Sequence, residues 1–279
     1  MVQVHNFSYG LLNPGLAYLT SCLGCFLGLQ CTARARAMQG AQRARWLLLA
    51  AVSIGATGIW VMHFIAMLGF TIPGQMITYN VPTTIASMAI AVAVVGVGLF
   101  IVGFGGEGPG PLLLGGTIIG IGVASMHYLG MWAMRMPDTM GYNTELLAAS
   151  VLIAIVAGTA ALWAALRLGS LWHTLLASLI MGVAVSGMHY TGMAAMQLRA
   201  APGAGMAAMG GGASAEAFLL PLILGITVVT FLVTAIVTLA PTEDEIRADA
   251  ELMERIARRA ASAERPPPGP LATDSAPPD

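Results

Sequence analysis

The chain has 279 residues, 57% of them hydrophobic and only 9% charged, with a mean hydropathy of +0.80. So little charge cannot cover a water-facing surface, which excludes an ordinary soluble fold and points to a bilayer as the solvent. The net charge of -1 says nothing about partners, but no basic stripe suggests nucleic acid, and no nucleic-acid partner is expected.

A helix crosses the hydrocarbon core with about 20 apolar residues. Seven runs meet that length: 11–33, 46–70, 83–105, 111–134, 145–168, 173–197 and 216–240. The first is not read as a cleaved leader, because Met1 to Gly10 carries no positive charge ahead of it. The expected fold is therefore an all-α integral membrane protein, with one seven-helix domain over residues 1–240. Its charge pattern predicts an orientation. The twelve basic residues are all arginines. Arg34, Arg36, Arg43, Arg45, Arg167, Arg247, Arg255, Arg258, Arg259 and Arg265 fall on one side, and only Arg135 and Arg199 on the other. That asymmetry predicts an outer N-terminus and a cytoplasmic C-terminus in a multi-pass protein of the inner (plasma) membrane.

Helices 2, 4 and 6 share a motif. They carry Met62-His63-Phe64-Ile65-Ala66-Met67, Met126-His127-Tyr128-Leu129-Gly130-Met131 and Met188-His189-Tyr190-Thr191-Gly192-Met193. The pattern Met-His-aromatic-x-small-Met recurs after 64 and then 62 residues, one helix pair each time. The domain thus reads as three helical hairpins in the same orientation plus a seventh helix. Each histidine falls seven or eight residues before the outer end of its predicted helix, about 10–12 Å below the outer surface. The methionine four residues later shares its face. Met134 and Met196 are expected to extend that face by one more turn, where the first copy has Phe70. Ala66, Gly130 and Gly192 invite close helix approach.

Imidazole nitrogen binds copper, zinc, iron and nickel, and thioether sulfur selects Cu(I). Carboxylates are missing at that depth, which argues against magnesium, calcium and manganese. The candidate ligands are His63, Met67, His127, Met131, His189 and Met193, with Met62, Met126 and Met188 beside them. Tyr128 and Tyr190 stand as groups that could orient the ligands, whereas Phe64 has no hydroxyl to do so. One such histidine would more often be a hydrogen-bonding residue between helices. Three in register point to a site, because ionisable groups inside membranes are rare and usually functional.

The motifs resemble the MHYT domain, a bacterial membrane sensor module; Met188-His189-Tyr190-Thr191 spells its name. The resemblance covers residues from about 5 to 240. It implies sensing of a diatomic gas (oxygen, carbon monoxide or nitric oxide) through a copper ion held by the motif Met and His residues. It also implies fusion or coupling to cyclic-di-GMP enzymes or DNA-binding domains. Residues 241–279 read as none of these, so the output is expected to pass to a separate cytoplasmic partner. Copper transport ranks below sensing, since the sequence offers one ligand layer and no buried acid. Haem held by two of the histidines is a further alternative. No nucleophile, base and orienting acid come together, so no enzymatic role is expected.

Weaker signals complete the chain. Cys22, Cys25 and Cys31 read as packing residues in helix 1, His5 as a solvated histidine and His173 as an interfacial one. Met76, Met136, Met140, Met206 and Met209 read as loop methionines. Thr242 with Glu245 forms a capping box, and Glu251/Arg255 and Glu254/Arg258 pair at i,i+4. A cytoplasmic amphipathic helix over 241–264, with its docking stripe for a partner within 242–263, is followed by a disordered Pro-rich stretch, 265–279.

Overall fold

The structure is a computed structural model that describes residues 4–73, 75–106, 108–199, 213–239, 241 and 243–263. Met206, Met209, Thr242 and the Pro-rich stretch lie outside the described residues. The chain divides into two units, 1–239 and 240–279.

The first unit is helical. Its helices are α1 (Leu12–Ala37), α2 (Gly40–Met67), α3 (Val81–Gly105), α4 (Pro109–Trp132), α5 (Thr144–Arg167) and α6 (Leu171–Ala195), followed by α7 (Ala215–Leu239). The first six are long and apolar enough to cross a membrane, and α7 holds a shorter apolar stretch, Pro221–Val237. Local chemistry sets the boundaries. Asn80 accepts a hydrogen bond from the Thr83 N–H at 3.0 Å and opens α3. Asn143 does the same for Leu146 at 3.0 Å and opens α5. Both satisfy donors that a helix start leaves free.

The arginine-rich segment differs from the expected loop. Arg34 and Arg36 lie in the last turn of α1, and Arg43 and Arg45 lie inside α2, so only Met38 and Gln39 separate the two helices. The reason is electrostatic. Arg36 donates to the carbonyls of Ala165 and Leu168 at the end of α5. Arg43 donates to Ala35 at 3.1 Å and Gly103 at 2.8 Å. The guanidinium groups thus cover helix C-termini, whose partial negative charge favours them.

Helix α2 has a feature that periodicity alone does not disclose. Residues Ser53–Val61 are π-helical, and all nine are buried. A Cβ at Gly24 of α1 would meet the backbone of Gly58 in this segment, so two glycines set the α1–α2 crossing. Trp60 donates to Ser87 of α3 at 2.9 Å, and the hydroxyls of Thr57 and Thr230 of α7 lie 2.8 Å apart.

Short strands join the connections at the end of the bundle nearest the motifs. Strand β1 (Thr78–Tyr79) pairs antiparallel with β2 (Met134–Arg135) and β5 (Ala213–Ser214), and β3 (Thr139–Tyr142) pairs with β4 (Met196–Arg199). They correct the expected extension of the motif face. Helix α4 stops at Trp132 and α6 at Ala195, so Met134 and Met196 are strand residues, and pairing satisfies backbone groups that have left the helix.

The second unit holds α8 (Glu243–Ala263). Arg255–Glu251 at 3.8 Å and Arg258–Glu254 at 2.6 Å are its i,i+4 pairs; both are exposed. Leu252, Met253 and Ile256 are exposed as well.

Candidate metal centre

The motif helices bring three imidazoles to one point. His63 on α2, His127 on α4 and His189 on α6 are each at most 1% exposed. Their Nδ1 atoms form a triangle with edges of 3.0 Å (His63–His189), 3.1 Å (His63–His127) and 3.3 Å (His127–His189). The ring planes stand at 79° to 88° to one another, with centroids 4.9 to 5.0 Å apart.

Hydrogen bonding alone cannot satisfy this triangle. A ring nitrogen bearing a proton cannot accept, and one without a proton cannot donate. Among three mutually facing nitrogens, two must be alike, so at least one edge opposes two donors or two lone pairs. A cation removes the conflict, since all three nitrogens then present lone pairs to it. The edges also fit an ion. Nitrogens about 2.0–2.1 Å from a tetrahedral metal lie about 3.3–3.4 Å apart, close to the edges observed. Among the described residues, these three are the group of His, Cys, Asp and Glu side chains whose ligand atoms cluster this closely.

With Nδ1 turned inward, the proton of each neutral ring belongs on Nε2. The Nε2 atoms of His63 and His127 are buried without a hydrogen-bond partner among the described residues. Each lies against the glycine of the next motif copy. A Cβ at Gly130 would fall 2.5 Å from His63 Nε2, and a Cβ at Gly192 would collide with His127 Nε2. The small position of the motif therefore makes room for a neighbour's imidazole, a role the sequence disclosed only as close helix approach.

Around the triad, Met62, Met67, Met126, Met131, Met188 and Met193 are all buried, at 0% to 4% exposure. Phe64, Tyr128 and Tyr190 each stand edge-on to the histidine before them, at 4.7 to 4.9 Å between centroids. The tyrosines thus meet the site through their rings. The Tyr128 hydroxyl is 2.7 Å from that of Ser150, while the Tyr190 hydroxyl is buried without a partner among the described residues. Toward the arginine end lies an apolar cavity of about 40 Å³. Ile59, Val123 and Val185, each four residues before a motif histidine, line it together with Met188, Ala154 and Gly158.

The other candidates lie elsewhere. Cys22, Cys25 and Cys31 are buried free thiols. His5 pairs through its backbone with Thr71, and its side chain is exposed. His173 is exposed beside Ser170, 2.6 Å away.

Comparison with known proteins matches the chain's sequence to a family. The bacterial signalling protein N-terminal repeat, MHYT, matches residues 57–116 and 120–178. Those spans contain the first two motifs, and the third, from Met188, follows them. The bifunctional diguanylate cyclase/cyclic di-GMP phosphodiesterase MucR of Pseudomonas aeruginosa is 36% identical over 195 residues, which are 68% of this chain and 28% of that protein. The cyclic di-GMP phosphodiesterase NbdA of the same organism is 37% identical over 201 residues, 70% of this chain and 25% of that protein. The signaling protein YkoW of Bacillus subtilis is 30% identical over 187 residues, 64% of this chain and 23% of that protein. The chain spans about a quarter of the length of these relatives. No solved structure matches it.

Proposed function

The chain belongs to the MHYT family, and we propose that it is a membrane-embedded, non-enzymatic sensor whose detector is one copper ion. The Nδ1 atoms of His63, His127 and His189 would hold the ion. Thioethers from the buried set Met67, Met131 and Met193, with Met62, Met126 and Met188 behind them, favour Cu(I) over harder metals. Such an ion would supply an open coordination position or a redox change. The observation that carries this reading is the Nδ1 triangle, whose internal conflict a cation resolves.

The cavity beneath the triad supports a small, uncharged effector. Its lining offers no carboxylate, amide or hydroxyl to a water, and such cavities stay dry and take apolar guests. Oxygen, carbon monoxide and nitric oxide have this character. The proposed orientation puts the motif end outward and the arginine end in the cytoplasm of a bacterial inner membrane. The response would pass through α8 to enzymes of cyclic di-GMP turnover, the activity that the names of MucR and NbdA state for those proteins.

Haem fits less well. Its two axial ligands bind opposite faces of the macrocycle, whereas these three nitrogens aim at one point with ring centroids at most 5.0 Å apart. Metal analysis of protein purified in mild detergent tests the reading. About one copper per chain is expected, with His127→Ala lowering it roughly tenfold or more and Cys22→Ala leaving it unchanged. Equal metal content in the parent and His127→Ala proteins would overturn the site.

A further inference from the structure

The arginine end holds a second cavity, about 260 Å³ in volume, far from the triad. Two guanidinium groups, Arg36 and Arg43, line it together with Leu47, Val102, Phe104 and Leu166. Among the described residues, no lining side chain is a carboxylate. We propose that this cavity binds an anionic phospholipid, with the phosphate on Arg43 and the glycerol and upper acyl carbons on the apolar wall.

Arg43 carries the argument. Its Nε donates to Ala35 and its Nη1 to Gly103, and its guanidinium carbon lies 5.8 Å from the Phe104 ring centroid. These contacts fix the plane of the fork. Its Nη2 has no protein acceptor among the described residues and remains for a ligand. A planar, preset guanidinium matches a phosphate in geometry as well as charge. Apart from Thr32, the remaining described side chains of the lining are apolar, which a free inorganic anion would not exploit and a lipid would. The depth also suits a headgroup, because Arg34 stacks over Trp46 at 5.5 Å on the neighbouring turns, as aromatic and basic residues do at a membrane interface. Basic pockets between helices at such a level are where anionic headgroups dock.

The test uses the whole chain, delipidated in detergent and incubated separately with phosphatidylglycerol, phosphatidylcholine and inorganic phosphate. Bound ligand is then counted by native mass spectrometry. Phosphatidylglycerol should be retained and phosphatidylcholine should not, and millimolar phosphate should fail to displace it. Arg43→Gln should lower retention roughly tenfold, the loss expected when a charged hydrogen bond is removed. Leu166→Trp fills the apolar wall but keeps both arginines, and should lower it too. Arg45→Gln, which removes an exposed charge outside the cavity, should not. Equal retention across all four proteins would overturn the site, and so would binding of phosphate without lipid. Melting curves identify a variant that has failed to fold, in which case the other cavity variant decides. The site is independent of the triad, so metal content should be the same in Arg43→Gln and the parent.

Discussion

The first motif copy and the two that follow hold equivalent histidines by different means. His127 and His189 sit on the uninterrupted α-helices α4 and α6, whereas His63 follows a buried π-helical segment. Copies two and three place Gly130 and Gly192 under a neighbouring imidazole, while the first has Ala66 at that position. The first also has Phe64, fully buried against Trp60 at 4.6 Å between centroids, where the others have tyrosine. Copies two and three thus supply room, and the first supplies a helix of different winding. π-Helical segments recur at functional positions. This one reaches α7 through Thr57 and Thr230. On the proposed reading, each copy supplies one histidine, the second and third also supply room for a neighbouring imidazole, and the first also transmits the site's state.

The largest effect should come from closing the room. Gly130→Ala puts a methyl 2.5 Å from His63 Nε2, and His63 is confined by two other imidazoles. The ring must turn, and the triangle opens. Metal affinity should fall roughly 10–100-fold, as when a group that orients a ligand is lost. Ala66→Gly should change it far less. Competitive titration of the three proteins with a Cu(I) chelator measures both. Similar affinities for Gly130→Ala and the parent would show that the histidines do not need their observed positions.

A smaller effect should separate transmission from binding. Thr57→Val removes one hydrogen bond to α7. Thr230 keeps its bond to the Ile226 carbonyl at 2.8 Å, so the cost should be near the average for membrane hydrogen bonds, about 0.6 kcal/mol. Metal content should hold while the cellular response falls. Loss of metal in Thr57→Val would show that the link supports the site and not its output.

Much of this was legible in the sequence because bilayer physics is strict. Long apolar runs marked the helices, and the period of two helices placed His63, His127 and His189 on elements of equal direction. That they face one another could be expected from the motif but required the fold to be seen. Other features left no such trace. The π-helical segment 53–61 is as apolar as an α-helix would be, so its hydropathy carries no signal of its winding. The strands at Thr78, Met134 and Met196 are two to four residues long, too short for a period. Charge alone reads Arg34 to Arg45 as a loop, because the carbonyls of Ala35, Gly103 and Ala165 that meet these guanidinium groups belong to folded turns and other helices and leave no local signal. The role of Gly130 depends on a ring from another helix, which local spacing cannot show.

The smallest effect concerns the two tyrosines and tests whether copies two and three are themselves alike. Tyr128 donates its hydroxyl proton to Ser150, whose own proton goes to the Leu147 carbonyl at 2.8 Å. Tyr128→Phe therefore loses a made bond and should destabilise by about 0.5–1 kcal/mol. Tyr190 occupies the same motif position, yet its buried hydroxyl has no partner among the described residues. Removing an unsatisfied buried polar atom relieves desolvation, so Tyr190→Phe should be neutral or stabilising by up to about 1 kcal/mol. Its ring contacts with His189 at 4.9 Å and Phe7 at 5.6 Å would survive. Both tyrosines reach their histidine by the ring edge, so neither substitution should alter metal content. Thermal melting in detergent should give shifts that differ in sign or one near zero. If Tyr190→Phe instead loses metal, or loses as much stability as Tyr128→Phe, its hydroxyl has a partner in the loaded site, and the third copy contributes more than an imidazole and a glycine.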